Sequence, residues 1–171
     1  MAAPSQFLMN YTHGTVKLLD GTGTPLVFTF AVDQGDFSID GLAQRLREVV
    51  AYSSRGALRG VALGDRTYPT LSMSAMIKQF KDTDAGEGTV FDFISGTAGT
   101  DYAARISTLG AAHPVFCCDV DLTVTDYAGA THTIQAHDVA LTYSIAEGDP
   151  DTCNLSGIVY GQIEGDVAID G

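Results

Sequence analysis

A mainly β fold with one short helix is predicted by three observations. Apolar and polar residues alternate in several runs, most clearly where Leu71, Met73, Ala75 and Ile77 interleave with Thr70, Ser72, Ser74 and Met76. Glycines punctuate these runs at spacings that suit hairpin turns. Aliphatic residues, Thr, Tyr and Phe are plentiful, and one segment alone carries a clean helical spacing. Alternation places one face of each strand in a core and the other in solvent, whereas a helix needs apolar residues three and four apart.

The elements follow in order. Residues 1–13 read as an irregular arm. Thr15–Leu19 and Leu26–Val32 read as a hairpin around Asp20-Gly21-Thr22-Gly23, with Leu26, Phe28, Phe30 and Val32 on one face. Asp36–Gly41 reads as a short strand or a turn. For Gln44–Tyr52 the β-branched pair Val49-Val50 favours a strand over a helix. Residues 53–66 combine three glycines and three arginines without periodicity, and read as a long loop of the kind that carries function. Tyr68–Lys78 is a strand, and 81–88 a polar turn. Thr89 caps a helix over 90–95, with Val90, Phe93 and Ile94 on its apolar side and glycines at 96 and 99 to end it. Residues 100–112 read as loop. Val115–Tyr127 is a strand with Cys118, Val120, Leu122 and Val124 on one face and Asp119, Asp121, Thr123 and Thr125 on the other. After Ala128-Gly129-Ala130, Thr131–Ile145 returns as a strand, but its apolar parity changes between Ala136 and Val139. A one-residue slip inverts every side chain, so a bulge is expected near His137-Asp138. An acidic turn (146–154) leads to a final strand, Leu155–Ile169, broken at Gly161 or Gly165. No repeat or linker divides the chain, and a single domain over 1–171 is expected.

The charge is lopsided. Residues 1–85 hold eight acids and eight bases; residues 86–171 hold thirteen acids and only Arg105, which accounts for the whole net charge of −12. These acids are interleaved with a strand pattern, so they decorate a folded surface. Such a surface repels anions, and it argues against nonspecific duplex binding, which needs clustered Lys and Arg. No run approaches the roughly 20 apolar residues of a membrane span. The first residues lack a basic region followed by a long apolar stretch, so no secretory signal and cytoplasmic synthesis are expected. Three cysteines without framework spacing argue against structural disulfides.

Catalysis finds little support. There is no nucleophile elbow and no phosphate loop. His13, His113, His132 and His137 are scattered, and the last two face opposite ways unless the bulge realigns them. Asp149, Asp151 and Asn154 are similar to part of a calcium loop but lack its glycine spacing and distal bidentate acid, so a solvated turn is the plainer reading. Asp119 and Asp121 form an acid pair two positions apart, within a polar stripe that suits a solvated sheet face better than acid–base work. Arg55, Arg59 and Arg66, interspersed with Leu58, Val61 and Leu63, suit docking on an acidic protein surface such as the chain's own second half. Self-complementary charge of that kind favours head-to-tail stacking.

The order and character of these segments resemble the major tail tube proteins of long-tailed bacteriophages, which share a fold with type VI secretion tube proteins. The resemblance rests on the arm, the hairpin (15–32), the long loop (53–66), the strand TYPTLSMSAMIKQF (67–80), the helical VFDFIS (90–95) and the acidic strands to the end, and it spans nearly the whole chain. It implies a β-sandwich or half-barrel flanked by a helix, contributing strands to an oligomeric β-barrel. Six copies would close each ring, and rings would stack into a tube through which genomic DNA leaves the virion. The implied partners are further copies of the chain, a tape-measure protein, and tail-tip and terminator proteins; no cofactor, metal or enzymatic activity is implied. On this reading Asp119, Asp121, Thr123, Thr125, Asp138 and Glu164, with parts of 131–138 and 155–166, approach the lumen. Arg55, Leu58, Arg59, Val61, Leu63 and Arg66 contact neighbouring subunits. The alternatives are a tail terminator or connector, a secretion tube subunit, and a secreted β-sandwich module that holds glycans or calcium.

Overall fold

A computed structural model describes residues 14–32, 36–41, 47–54, 57–66, 68–76, 89–125, 129–148 and 152–165. The arm (1–13), the turn at 81–88, Arg55, Asp149 and Asp151 lie outside the described residues. The strands are β1 (Gly14–Leu19), β2 (Val27–Val32), β3 (Phe37–Asp40), β4 (Arg47–Ser54), β5 (Ala57–Arg66) and β6 (Thr70–Met76). The helix α1 (Val90–Ser95) follows, and then β7 (Cys118–Thr125), β8 (Thr131–Ala146), β9 (Thr152–Val159) and β10 (Ile163–Gly165). The expected class, mainly β with one short helix, is the observed one, and the pairing is antiparallel.

Eight strands form one antiparallel sheet in the order β2-β1-β7-β8-β9-β6-β3, with β10 paired to β8. The long strand β8 joins its two halves. Residues up to Val139 pair with β7, and Val139 to Ala146 pair with β9. The sheet curls so that β2 comes against β6. Its concave face gathers Val16, Leu18, Val120, Leu122, Val124, Val139, Leu155, Val159, Leu71 and Met73 into a buried core. Burying each of these side chains contributes about 1.5–3 kcal/mol.

Helix α1 closes one side of that core. Six residues are too few for a self-sustaining helix in water. The helix is held instead by its caps and by Phe93, which is fully buried against Phe28, Tyr102 and Phe116 with ring centroids 6.5, 5.2 and 5.8 Å away. Thr89 and Asp92 form a reciprocal capping box, and Gly96 ends the helix in the left-handed conformation (φ 63°). Arg105 packs directly beneath Gly96, and its guanidinium lies 3.6 Å from the centre of the Phe116 ring.

The β1–β2 turn is organised by Asp20, which is 3% exposed. One carboxylate oxygen accepts hydrogen bonds from the Thr22 N–H, the Thr22 hydroxyl and the Leu26 N–H; the other accepts from the Ile106 N–H. The turn is thereby tied to the 97–117 segment.

Three expectations need correction. Residues 57–66 are not loop but strand β5, paired with β4 in a separate two-stranded sheet. Register shifts at Arg47/Val49 and Tyr52/Ser53 interrupt the hairpin's alternation, so no strand periodicity shows in the sequence. Asn154 does not belong to the acidic turn. It sits within β9 opposite Ser74 and Ser144, because the paired strands extend from Ala146 and Thr152. The strand β9 ends at Val159, and after a break at Gly161 the chain runs on in the same direction along β8 as β10, so the expected break at Gly161 occurs.

Candidate functional site: an acidic sheet face

The convex face of the sheet is set by alternation. On β7, Cys118, Val120, Leu122 and Val124 turn into the core, so Asp119, Asp121, Thr123 and Thr125 turn outward. Register then aligns neighbours across strands: Thr29, Lys17, Asp121, Gln135 and Glu164 form one cross-sheet row, and Thr15, Thr123 and Thr133 form the next. Farther along, the same face continues as Ser38, Ser72, Ser156 and Thr142, linked pairwise by hydroxyl contacts of 2.8 Å (Ser38–Ser72) and 3.0 Å (Thr142–Ser156). Short polar side chains make up most of this wall, interrupted by the exposed Ile158 on β9, with carboxylates concentrated on the β7–β8–β10 part.

The structure thus brings Asp119, Asp121, Thr123, Thr125 and Glu164 onto one face. Asp138 differs. It lies in the expected bulge, where His137 and Asp138 together oppose Asp119 and the register shifts between Cys118 and Val120. Its φ of 55° is left-handed, a conformation that Asp tolerates better than most residues. Its carboxylate accepts from the Thr108 hydroxyl at 2.7 Å, so it also ties the bulge to the 97–117 segment.

Two residues of the 131–138 stretch, neither singled out as a contact in the sequence, complete this face. The Gln135 amide donates to Asp121 at 3.2 Å, and the His137 Nδ1 lies 3.0 Å from the second carboxylate oxygen of Asp119. The parity change on β8 was the signal available for His137: a bulge opposite Asp119 puts a second polar side chain on that face. Partial burial raises the Asp121 carboxyl above its ordinary range; Asp119 adds to the effect, while Gln135, His137 and Lys17 oppose it. For His137, burial disfavours the charge, but the hydrogen bond and charge of Asp119, with Glu164 and Asp121, outweigh it and raise the imidazole.

Among the described residues, no group of three or more His, Cys, Asp or Glu side chains is placed to hold a metal ion. No helix there is long and apolar enough to cross a membrane. The one base of the acidic half, Arg105, is stacked on Phe116. Leu58, Arg59, Val61, Leu63 and Arg66 are all on β5 of the separate hairpin.

No protein-family model and no curated protein matches the chain. Among solved structures it is similar to a chain in the cryo-EM structure of an extracellular contractile injection system, the PVC sheath–tube complex in its extended state. That match has 12% identity and a TM-score of 0.52, and covers 97% of this chain and 99% of that one. It also matches a chain of the PVC sheath/tube terminator in the extended state (12% identity, TM-score 0.48, 98% and 99% covered). A third match is to a chain of the anti-feeding prophage cap, the AFP tube-terminating cap (12% identity, TM-score 0.48, 97% and 95% covered). The first likeness is one of fold, and it extends over essentially the full length of both chains.

Proposed function

We propose that this chain is a structural subunit of a hollow, tail-like tube, in which six copies close a ring and rings stack into a conduit for DNA. The observation that carries this reading is the acidic convex face. Asp119, Asp121 and Glu164 stand among Ser, Thr and Gln side chains, and Lys17 is the base in register with them. A duplex presents about one negative charge per 1.7 Å of axis, and each basic side chain on a wall would gain a phosphate contact that slows passage. Carboxylates gain none. The full-length fold likeness to a chain of a sheath–tube complex supports the architecture.

On this reading the chain acts as one domain without catalysis or a cofactor. The terminal strands β2 and β3 extend neighbouring sheets into a closed barrel, which removes their open edges. Residues 1–13 and the β4–β5 hairpin, with Arg55, Leu58, Arg59, Val61, Leu63 and Arg66, reach adjacent subunits or rings. Tape-measure, tail-tip and terminator proteins are the further partners, and the assembled location is the tail of a virion or a related injection device, built in the host cytoplasm. Electron microscopy of the purified protein at high concentration, alone and with tail-tip proteins, tests this. Tubes with an axial channel are expected. A monomer under both conditions overturns the reading, and single unstacked rings favour a terminator.

A further inference from the structure

The bulge in β8 is a junction. Its backbone groups reach several segments: His137 N–H donates to the Gln162 carbonyl (2.9 Å), Gly161 N–H to the His137 carbonyl (3.0 Å), and Tyr160 N–H to the Asp138 carbonyl (3.1 Å). One carboxylate serves both bulge residues. Asp119 accepts from the Asp138 N–H with one oxygen and meets His137 Nδ1 with the other, each at 3.0 Å. Gly161 approaches so closely that a Cβ there would lie 2.5 Å from the His137 carbonyl oxygen. The turn leading to β10 therefore rests directly on the backbone of His137.

We propose that the His137–Asp119 pair is a pH-sensitive latch on this junction: protonated His137 holds the bulge and the 160–162 turn firm, and loss of the proton loosens them. This inference does not depend on the tube reading. With Nδ1 donating to Asp119, the titrating proton enters and leaves from solvent at Nε2. The groups facing His137 are Asp119 and Asp121 from β7 and Glu164 from β10, with Lys17 of β1 beside Asp121; the Asp138 carboxylate of its own strand is engaged by the Thr108 hydroxyl. An imidazolium is thus set among carboxylates, and protonation replaces a neutral donor to the Asp119 carboxylate by a cationic one, adding an ion pair to the hydrogen bond. When it deprotonates, the carboxylates of β7 and β10 repel one another with less relief. The raised imidazole agrees in sign. The added stability is fully present below the ordinary histidine value of 6.5 and is lost as pH rises through the higher folded value.

Amide exchange from pH 5 to pH 8, corrected for intrinsic rates, tests the latch. Protection of the Tyr160, Gly161, His137 and Asp138 amides is expected to fall about two- to fivefold across the His137 titration, relative to core amides. That range is the added worth of a cationic over a neutral donor to the same carboxylate, reduced by screening at a pair about one-third exposed. His137→Gln keeps a donor without a titration and is expected to give a flat profile. Absence of the fall in the wild type, or the same fall in His137→Gln, overturns the proposal. In Asp119→Asn the NMR-detected His137 midpoint is expected to drop, and an unmoved midpoint also overturns it.

Discussion

Asp20 shows how much one buried side chain can organise. It accepts four hydrogen bonds with no cation paired to it among the described residues, so backbone and hydroxyl dipoles hold the charge. Asp20→Ala leaves the Leu26 and Ile106 N–H groups without their acceptor and is expected to cost about 3 kcal/mol, read by urea denaturation. Asp121 is the opposite case. Partial burial raises its carboxyl, so the ionised form is disfavoured in the folded state. Its penalty is full above the folded value and is relieved as pH falls toward the ordinary 3.8. Asp121→Asn is therefore expected to match or exceed wild-type stability at neutral pH, and to lose that advantage near pH 4. Melting curves across pH 4–8 check this, and a large loss at pH 7 would mean that the Gln135 contact outweighs the burial.

Among the elements, α1 was legible in full, because a capping threonine, helical spacing and a terminal glycine all act locally. Thr89→Ala is expected to cost about 1 kcal/mol in thermal or chemical melts, the usual worth of a cap, with Phe93 still holding the helix in place. The β8 bulge was legible too, since a parity change in one strand records it. Gly161→Ala is expected to destabilise by about 1–3 kcal/mol, because the backbone of His137 leaves no room for the new methyl. It should also abolish the protected amide at Gly161. The β4–β5 hairpin was not legible. Its register shifts break the alternation by which a strand is read, and it stands in a sheet of its own. Asp20 escaped notice for a different reason: its partner Ile106 is remote in sequence, and no local pattern encodes that pairing. The Asp119–His137 pairing is likewise a property of register.

For the whole molecule, the separate sheet predicts separable behaviour. Replacing residues 47–66 with a short flexible linker is expected to leave the melting temperature of the main sheet within a few degrees of wild type while preventing tube growth, as seen by circular dichroism and electron microscopy. A collapse of the melting temperature would show that the hairpin supports the core. The strand order also carries a consequence for synthesis. β1 pairs with β2 on one side and with β7 on the other, Leu18 facing both Phe28 and Val120. The ribosome must therefore add about a hundred residues after the first hairpin before β7 exists, roughly 5–20 s at ordinary rates of elongation. Throughout that interval one edge of β1 stands open beside an apolar face, so the nascent chain depends on holdase protection or dilution until its second half emerges.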